Sequence, residues 1–111
     1  MGKEQPTRAQ VLKRVTPADV VRVVERQRGA RWAEFSNRHG DWGRESVLYL
    51  VRRRSGLTLS EIGQTFGIAE YKTVAAAIKR FDVSLAKDAA KRRMVKACLY
   101  EMSQMETLIP F

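Results

Sequence analysis

One cysteine and one histidine, Cys98 and His39, are this chain's whole supply of thiolate and imidazole ligands. A lone cysteine cannot close an intramolecular disulfide, and with a lone histidine no ordinary zinc constellation can be assembled. Long apolar runs are lacking too. The longest, around residues 46–51 and 73–78, fall far short of the roughly 20 residues that span a bilayer, so no membrane partner is expected. The opening Met1-Gly-Lys-Glu-Gln-Pro is polar, without a signal peptide's apolar core, and Pro6 stands where a myristoylation signal needs Ser or Thr. A cytoplasmic location is expected. Also missing are a Gly-x-x-x-x-Gly-Lys-Ser/Thr phosphate loop, a Gly-x-Gly-x-x-Gly fingerprint, and any Ser or Cys with a plausible His/acid set. No catalysis and no cofactor are therefore expected of this chain alone. Aromatic residues are only 8% of the composition, which leaves few platforms for stacking unpaired bases and ranks structured RNA third among the candidate partners.

Acidic residues are the remaining shortage. Against 12 Asp and Glu stand 21 Lys and Arg, a net charge of +9 over 111 residues. Such a field attracts polyanions: nucleic acid or an acidic protein surface. A hydrophobic content of 44% is ordinary for one modest globular core at this length.

What is present reads as helix throughout, with no strand signal, internal repeat or low-complexity segment. Residues 1–15 are polar and basic around Pro6 and read as a loose arm; residues 16–106 read as one helical domain and 107–111 as a tail. Thr16 as N-cap, Pro17 at the first helical position and Asp19 in the first turn start a helix whose apolar side is Val20, Val21, Val23 and Val24. A short helix over residues 30–35 brings Trp32 and Phe35 inward, and residues 36–43, rich in Asn, Gly and Asp, form a loop. A third helix over residues 44–55 buries Val47, Leu48, Leu50 and Val51 and ends in Arg52, Arg53 and Arg54, which cannot all share one helical face.

The most informative stretch spans residues 58–81, where two short amphipathic helices meet at a glycine turn in the manner of a helix-turn-helix DNA reader. Thr58 and Glu61 form a Thr-x-x-Glu capping box, Leu59, Ile62 and Phe66 supply the apolar stripe, and Gly67 fits a left-handed C-terminal cap. Gly63 costs roughly 1 kcal/mol mid-helix relative to alanine, which is repaid if a neighbouring helix approaches closely. The second helix begins near Glu70, since Val74, Ala77, Ile78 and Phe81 recur with the spacing of one buried face. Tyr71, Lys72, Thr73, Ala75 and Ala76 are left for the outer face and first turn, small and hydrogen-bonding side chains that suit the major groove. Residues 82–84 read as a break, with Ser84 capping a last helix through about Gln104. In that helix Met94, Ala97, Cys98, Met102 and Met105 fall on one stripe, so Cys98 reads as packing rather than reactive. The same two helices would also suit any α-helical domain.

Counted from Gly63, the buried aliphatic of the second helix is Val74 rather than Thr73, so the turn is one residue longer than the standard spacing. That turn, with Leu59-Ser-Glu-Ile-Gly-Gln-Thr-Phe-Gly and the following Glu70-Tyr-Lys-Thr-Val, resembles the C-terminal DNA-binding domain of the bacterial replication initiator DnaA. That family reads Leu-x-Glu-Ile-Gly-x-x-Phe-Gly, then an acidic residue, His, and Thr/Ser-Thr-Val. The likeness covers roughly residues 20–82. The resemblance implies a compact all-α domain that binds double-stranded DNA without catalysis, the ATPase being a separate domain absent here. It implies base contacts from Glu70, Tyr71, Lys72 and Thr73, a minor-groove loop at Arg38 and His39, and phosphate contacts from Arg44, Arg52, Leu59, Ser60 and Lys79. Arginine suits a narrow, electronegative groove, and lysine can donate to guanine O6 and N7. Tyr71 stays open between DNA contact and protein surface, and His39 is otherwise an ordinary loop residue.

The chain departs from the pattern where Tyr71 replaces His and Lys72 replaces Thr, which implies a DNA target other than the initiator's box. Tyr71, the lead-in Arg38-His-Gly-Asp-Trp-Gly-Arg-Glu and the ending Met102-Ser-Gln-Met-Glu-Thr look more like the DnaA-type domains appended to REP-associated tyrosine transposases. The transposase's catalytic domain is absent, so a stand-alone relic, an excised domain or a small regulator is expected. The rival class is an interaction module whose basic faces dock an acidic protein and whose methionine stripe forms a homodimer seam.

Overall fold

The computed structural model describes residues 15–107, which place six helices: α1 (Pro17–Arg28), α2 (Trp32–Phe35), α3 (Gly43–Arg54), α4 (Leu59–Phe66), α5 (Tyr71–Leu85) and α6 (Ala89–Thr107). No strand occurs among the described residues, and the fold is all-α. The proposed arm and tail lie outside the described residues except at their edges. Val15, assigned to the arm, belongs instead to the core: it is 3% exposed, and its carbonyl accepts a 2.7 Å hydrogen bond from Ser55 Oγ.

Local sequence sets the starts of α1 and α4. The Thr16 hydroxyl accepts from Asp19 N–H while the Asp19 carboxylate accepts from Thr16 N–H, and Pro17 occupies the first turn, where its missing N–H costs nothing. Thr58 and Glu61 make the same reciprocal pair at α4. Gly67 adopts φ 72°, a left-handed cap, and Ile68 N–H reaches back to Gly63 O at 2.8 Å.

That turn explains Gly63. A Cβ there would lie 2.6 Å from the Ile68 carbonyl oxygen, with Val74 Cγ2 at 3.6 Å. The close approach is therefore mainly the turn's own backbone, not the neighbouring helix that the sequence led one to expect. Gly63→Ala should force the α4–α5 turn apart and cost about 1–3 kcal/mol, measured by denaturant unfolding; an unchanged midpoint would contradict this packing.

α3 runs through the middle. Residues 46–51 are all buried, so this helix shows solvent only near its ends rather than along one side. α1 and α6 pack together on it, as do α4 and α5. Ser46 is tolerated inside because its hydroxyl donates to Gly43 O at 2.6 Å. Of the three arginines ending α3, Arg52 and Arg53 are exposed and Arg54 half-buried; Arg53 lies over the Tyr49 ring and donates to its hydroxyl.

Three boundaries need correction. The short second helix starts at Trp32, where Trp32 N–H donates to a Glu25 carboxylate oxygen. The break expected at residues 82–84 falls later: α5 continues to Leu85, and Ser84 is inside it, its hydroxyl donating to Phe81 O. The cap of α6 is Asp88, whose carboxylate accepts from Lys91 N–H at 3.1 Å. In α6, Cys98 and Met102 are fully buried with Val95, while Met94 and Met105 pack against the same core. Burial pushes the Cys98 thiol up to about 12, Glu101 adding to the shift, so the thiolate that reacts is suppressed.

Candidate nucleic-acid interface

Four expected contact residues share the start of α5. Glu70 is the N-cap by backbone only, since its side chain caps nothing, and Tyr71, Lys72 and Thr73 form the exposed first turn. Tyr71 is 51% exposed, so its ring is held out from the core while Val74, Ala77 and Phe81 on the opposite side are buried. No acidic residue lies within the first turn and no side chain caps its N–H groups, although the Glu70 carboxylate stands at the N-cap position itself.

Two surface depressions flank that turn. One lies between α4 and α5 and brings Ser60 and Gln64 opposite Glu70, Tyr71 and Lys72. The other runs between α5 and the loop after α2, where Thr73 meets Arg38, Arg44, Glu45 and Arg80. The expected base-reading turn and the expected arginine loop therefore adjoin on one surface, which Arg44 also lines. Lys79 is exposed on the same stripe of α5 as Lys72, two turns further along.

A buried ion pair builds the loop. Both Arg28 guanidinium Nη atoms donate to the Asp41 carboxylate, at 2.8 and 3.0 Å, while Asp41 also accepts from Gly43 N–H at 2.7 Å and has Arg38 Nη1 at 3.5 Å. Arg28 stacks over the Phe35 ring at 4.5 Å and the Trp42 ring at 4.9 Å, a planar cation held between two aromatic faces. A side chain at Gly43 would press on Phe35 and come within 2.5 Å of Arg28 Nη1, which explains the glycine. Burial works to raise the Asp41 pKa, but the Gly43 N–H, the Arg28 hydrogen bonds and the Arg28 and Arg38 charges outweigh it and hold the carboxyl below the ordinary range. Arg38 and His39 are both exposed on the loop so anchored.

The remaining expected phosphate contacts divide. Ser60 is exposed and Leu59 half-buried in the first turn of α4, where the capping box uses Thr58 and Glu61 N–H and leaves those of Leu59 and Ser60 outside it. Arg52 is exposed but already employed: its Nη1 donates to Leu57 O at 2.8 Å, bracing the connection into α4. That makes it a structural arginine as well as a charge.

Sequence reasoning missed Arg80, Glu45 and Gln64. Arg80 Nε and Nη2 both donate to Glu45 Oε2, at 2.9 and 2.6 Å, across the second depression. Arg80 lies seven residues after Thr73, two helical turns along the same side of α5, and that periodicity was the available signal. Nothing local marks Glu45 as its partner, 35 residues away.

Among the described residues no three His, Cys, Asp or Glu side chains gather where they could hold a metal, and no helix is long and apolar enough to cross a membrane. No protein-family model matches the chain, and comparisons with curated proteins and with solved structures return no match, so the likeness to the DnaA DNA-binding domain rests on the motif residues alone.

Proposed function

We propose that this chain is a non-catalytic, double-stranded DNA-binding module that reads sequence through the first turn of α5. The supporting observation is the adjacency of exposed Tyr71, Lys72 and Thr73 to the Arg38–Arg44 surface, in a chain of net charge +9. On this reading α5 enters the major groove as the second helix of a helix-turn-helix, Lys72 and Thr73 meet base edges, and the Arg38 loop reaches the neighbouring minor groove. Arg44, Lys79, Ser60 and the first-turn amides of α4 lie against phosphates. The likeness to DnaA and to transposase-appended domains points to a role in replication or transposition, with Tyr71 and Lys72 directing the module to its own target.

Selection of duplexes from a random library at about 150 mM salt tests this, because nonspecific affinity at physiological salt is already only about 10⁻⁴–10⁻⁶ M. An enriched motif is expected. Retention without enrichment that vanishes as salt rises would overturn the sequence-reading claim, and no retention would overturn DNA binding itself. On the selected site, Lys72→Ala should relax preference at one base position by about 1–3 kcal/mol. Arg44→Ala should weaken every sequence alike and lower the salt slope by about one unit. Equal losses for Lys72→Ala on selected and random duplexes would remove Lys72 from base reading.

A further inference from the structure

The outer side of α6 has no part in the interface described above, yet it carries a cationic stripe with an aromatic in it. Arg93, Lys96 and Tyr100 recur at i, i+3 and i+7, opposite the buried Val95, Cys98 and Met102. Tyr100 is 68% exposed, against 51% for Tyr71. Nothing in helix propensity favours an aromatic so placed. No carboxylate lies on the stripe: Glu101, on the flank, is taken by Arg26 and Gln27 of α1, and Asp88 caps the helix. Neighbouring cations have other employment, since Lys91 packs over Trp42 and Phe81 and Arg92 Nη1 donates to Leu85 O.

The buried side of α6 faces the core it shares with α1, α3 and α5. Its outer stripe therefore points away from that core. A second copy docked here about a two-fold axis would set Arg93 and Lys96 against their own like charges, which argues against a homodimer. From Arg93 to Tyr100 the helix rises about 10 Å, a length over which duplex DNA presents about six phosphate charges. Two cations and a phenolic hydroxyl all donate hydrogen bonds, the chemistry that phosphate oxygens accept.

We propose that the Arg93–Lys96–Tyr100 face of α6 binds the phosphate backbone of a second DNA duplex, so that one molecule bridges two segments. The proposal rests on the DNA-binding reading of α5. A direct test captures the full chain on an immobilised duplex carrying the selected site and measures retention of a second, fluorescent random duplex at about 100 mM salt, with single-duplex affinity measured separately. The wild type retains the second duplex, and retention falls as salt rises. Arg93→Glu with Lys96→Glu should reduce retention about ten-fold or more while changing affinity for the first duplex less than about three-fold. Arg93→Gln with Lys96→Gln, a milder change at the same exposed positions, should give an intermediate loss, and circular dichroism checks that both variants stay folded.

Wild-type protein that binds the first duplex but retains no second one overturns the proposal and leaves the α5 reading standing. Retention undiminished in folded glutamate variants also overturns it, placing the bridging elsewhere. Retention abolished by poly-glutamate at charge concentrations where competitor duplex has no effect would reassign the face to an acidic protein. Failure to bind any duplex removes both readings together.

Discussion

Phe81→Ala should be the most damaging single substitution in this core, lowering the unfolding free energy by about 3–5 kcal/mol. Phe81 is fully buried and joins several parts of the fold: its ring stacks on Trp42 at 6.0 Å, leans on Tyr49 of α3 at 5.2 Å, and lies under the Lys91 ammonium of α6 at 5.8 Å. Truncation removes a large apolar side chain and leaves a void among groups already tied to separate elements, so collapse around it is hindered. Small domains have only about 5–15 kcal/mol in total, and the thermal midpoint should drop by at least about 10 °C. Because Phe81 anchors the same helix that begins with Tyr71 and Lys72, the proposed DNA binding should fall with the folded fraction and recover on cooling. A midpoint within about 3 °C of wild type would show that the site repacks and that this account of the core is wrong.

Asp41→Ala should come next, and it couples stability to the site. The Asp41 side chain is 5% exposed and that of Arg28 is 18% exposed. Removing the carboxylate leaves a guanidinium between two aromatic rings with no anion. Breaking a buried pair in this way costs about 3–5 kcal/mol, and the partial exposure of Arg28 places the expected loss toward the lower end. The Gly43 N–H loses its acceptor as well, so residues 36–42 lose their fixed path and Arg38 its placement. On the proposed DNA-binding reading the defect should therefore exceed that of Arg38→Ala, as titrations on the selected site at fixed salt would show.

Acid gives an independent check on the same contact. The folded Asp41 carboxyl titrates below its ordinary value of 3.8, so the folded state binds its proton less readily than the unfolded chain. Its stabilisation is complete above that ordinary value and is lost as pH falls through the lower folded value. Asp19 is lowered in the same direction, burial again opposing and the Thr16 and Arg22 contacts prevailing. Wild type should lose stability on acidification below about pH 4, and the Asp41 variant should lose less, having already forfeited one such carboxylate. Parallel acid profiles for the two proteins would place the loop's anchor elsewhere.

Whatever is encoded within a few residues was legible from pattern alone. The Thr16–Asp19 and Thr58–Glu61 boxes, the left-handed Gly67, and the buried face of Val74, Ala77 and Phe81 depend on partners three to seven positions away, so pattern and propensity sufficed. Local chemistry also misled at Ser84, which is a good cap in isolation, but its hydroxyl found the Phe81 carbonyl inside a continuing helix, and the cap passed to Asp88. Tertiary structure decided the rest. Buried from residue 46 to 51, α3 has no solvent face to give it a period, so its central place could not be read from alternation. The pairing of Arg28 with Asp41 and of Arg80 with Glu45 joins residues 13 and 35 apart, and only the packing of α1, α3 and α5 brings such side chains within hydrogen-bonding distance. Charge composition raised only the expectation of a polyanion partner; which arginines stand exposed and which serve as internal clamps was settled by the fold, because a guanidinium's role depends on the carboxylates and rings that chain topology sets around it.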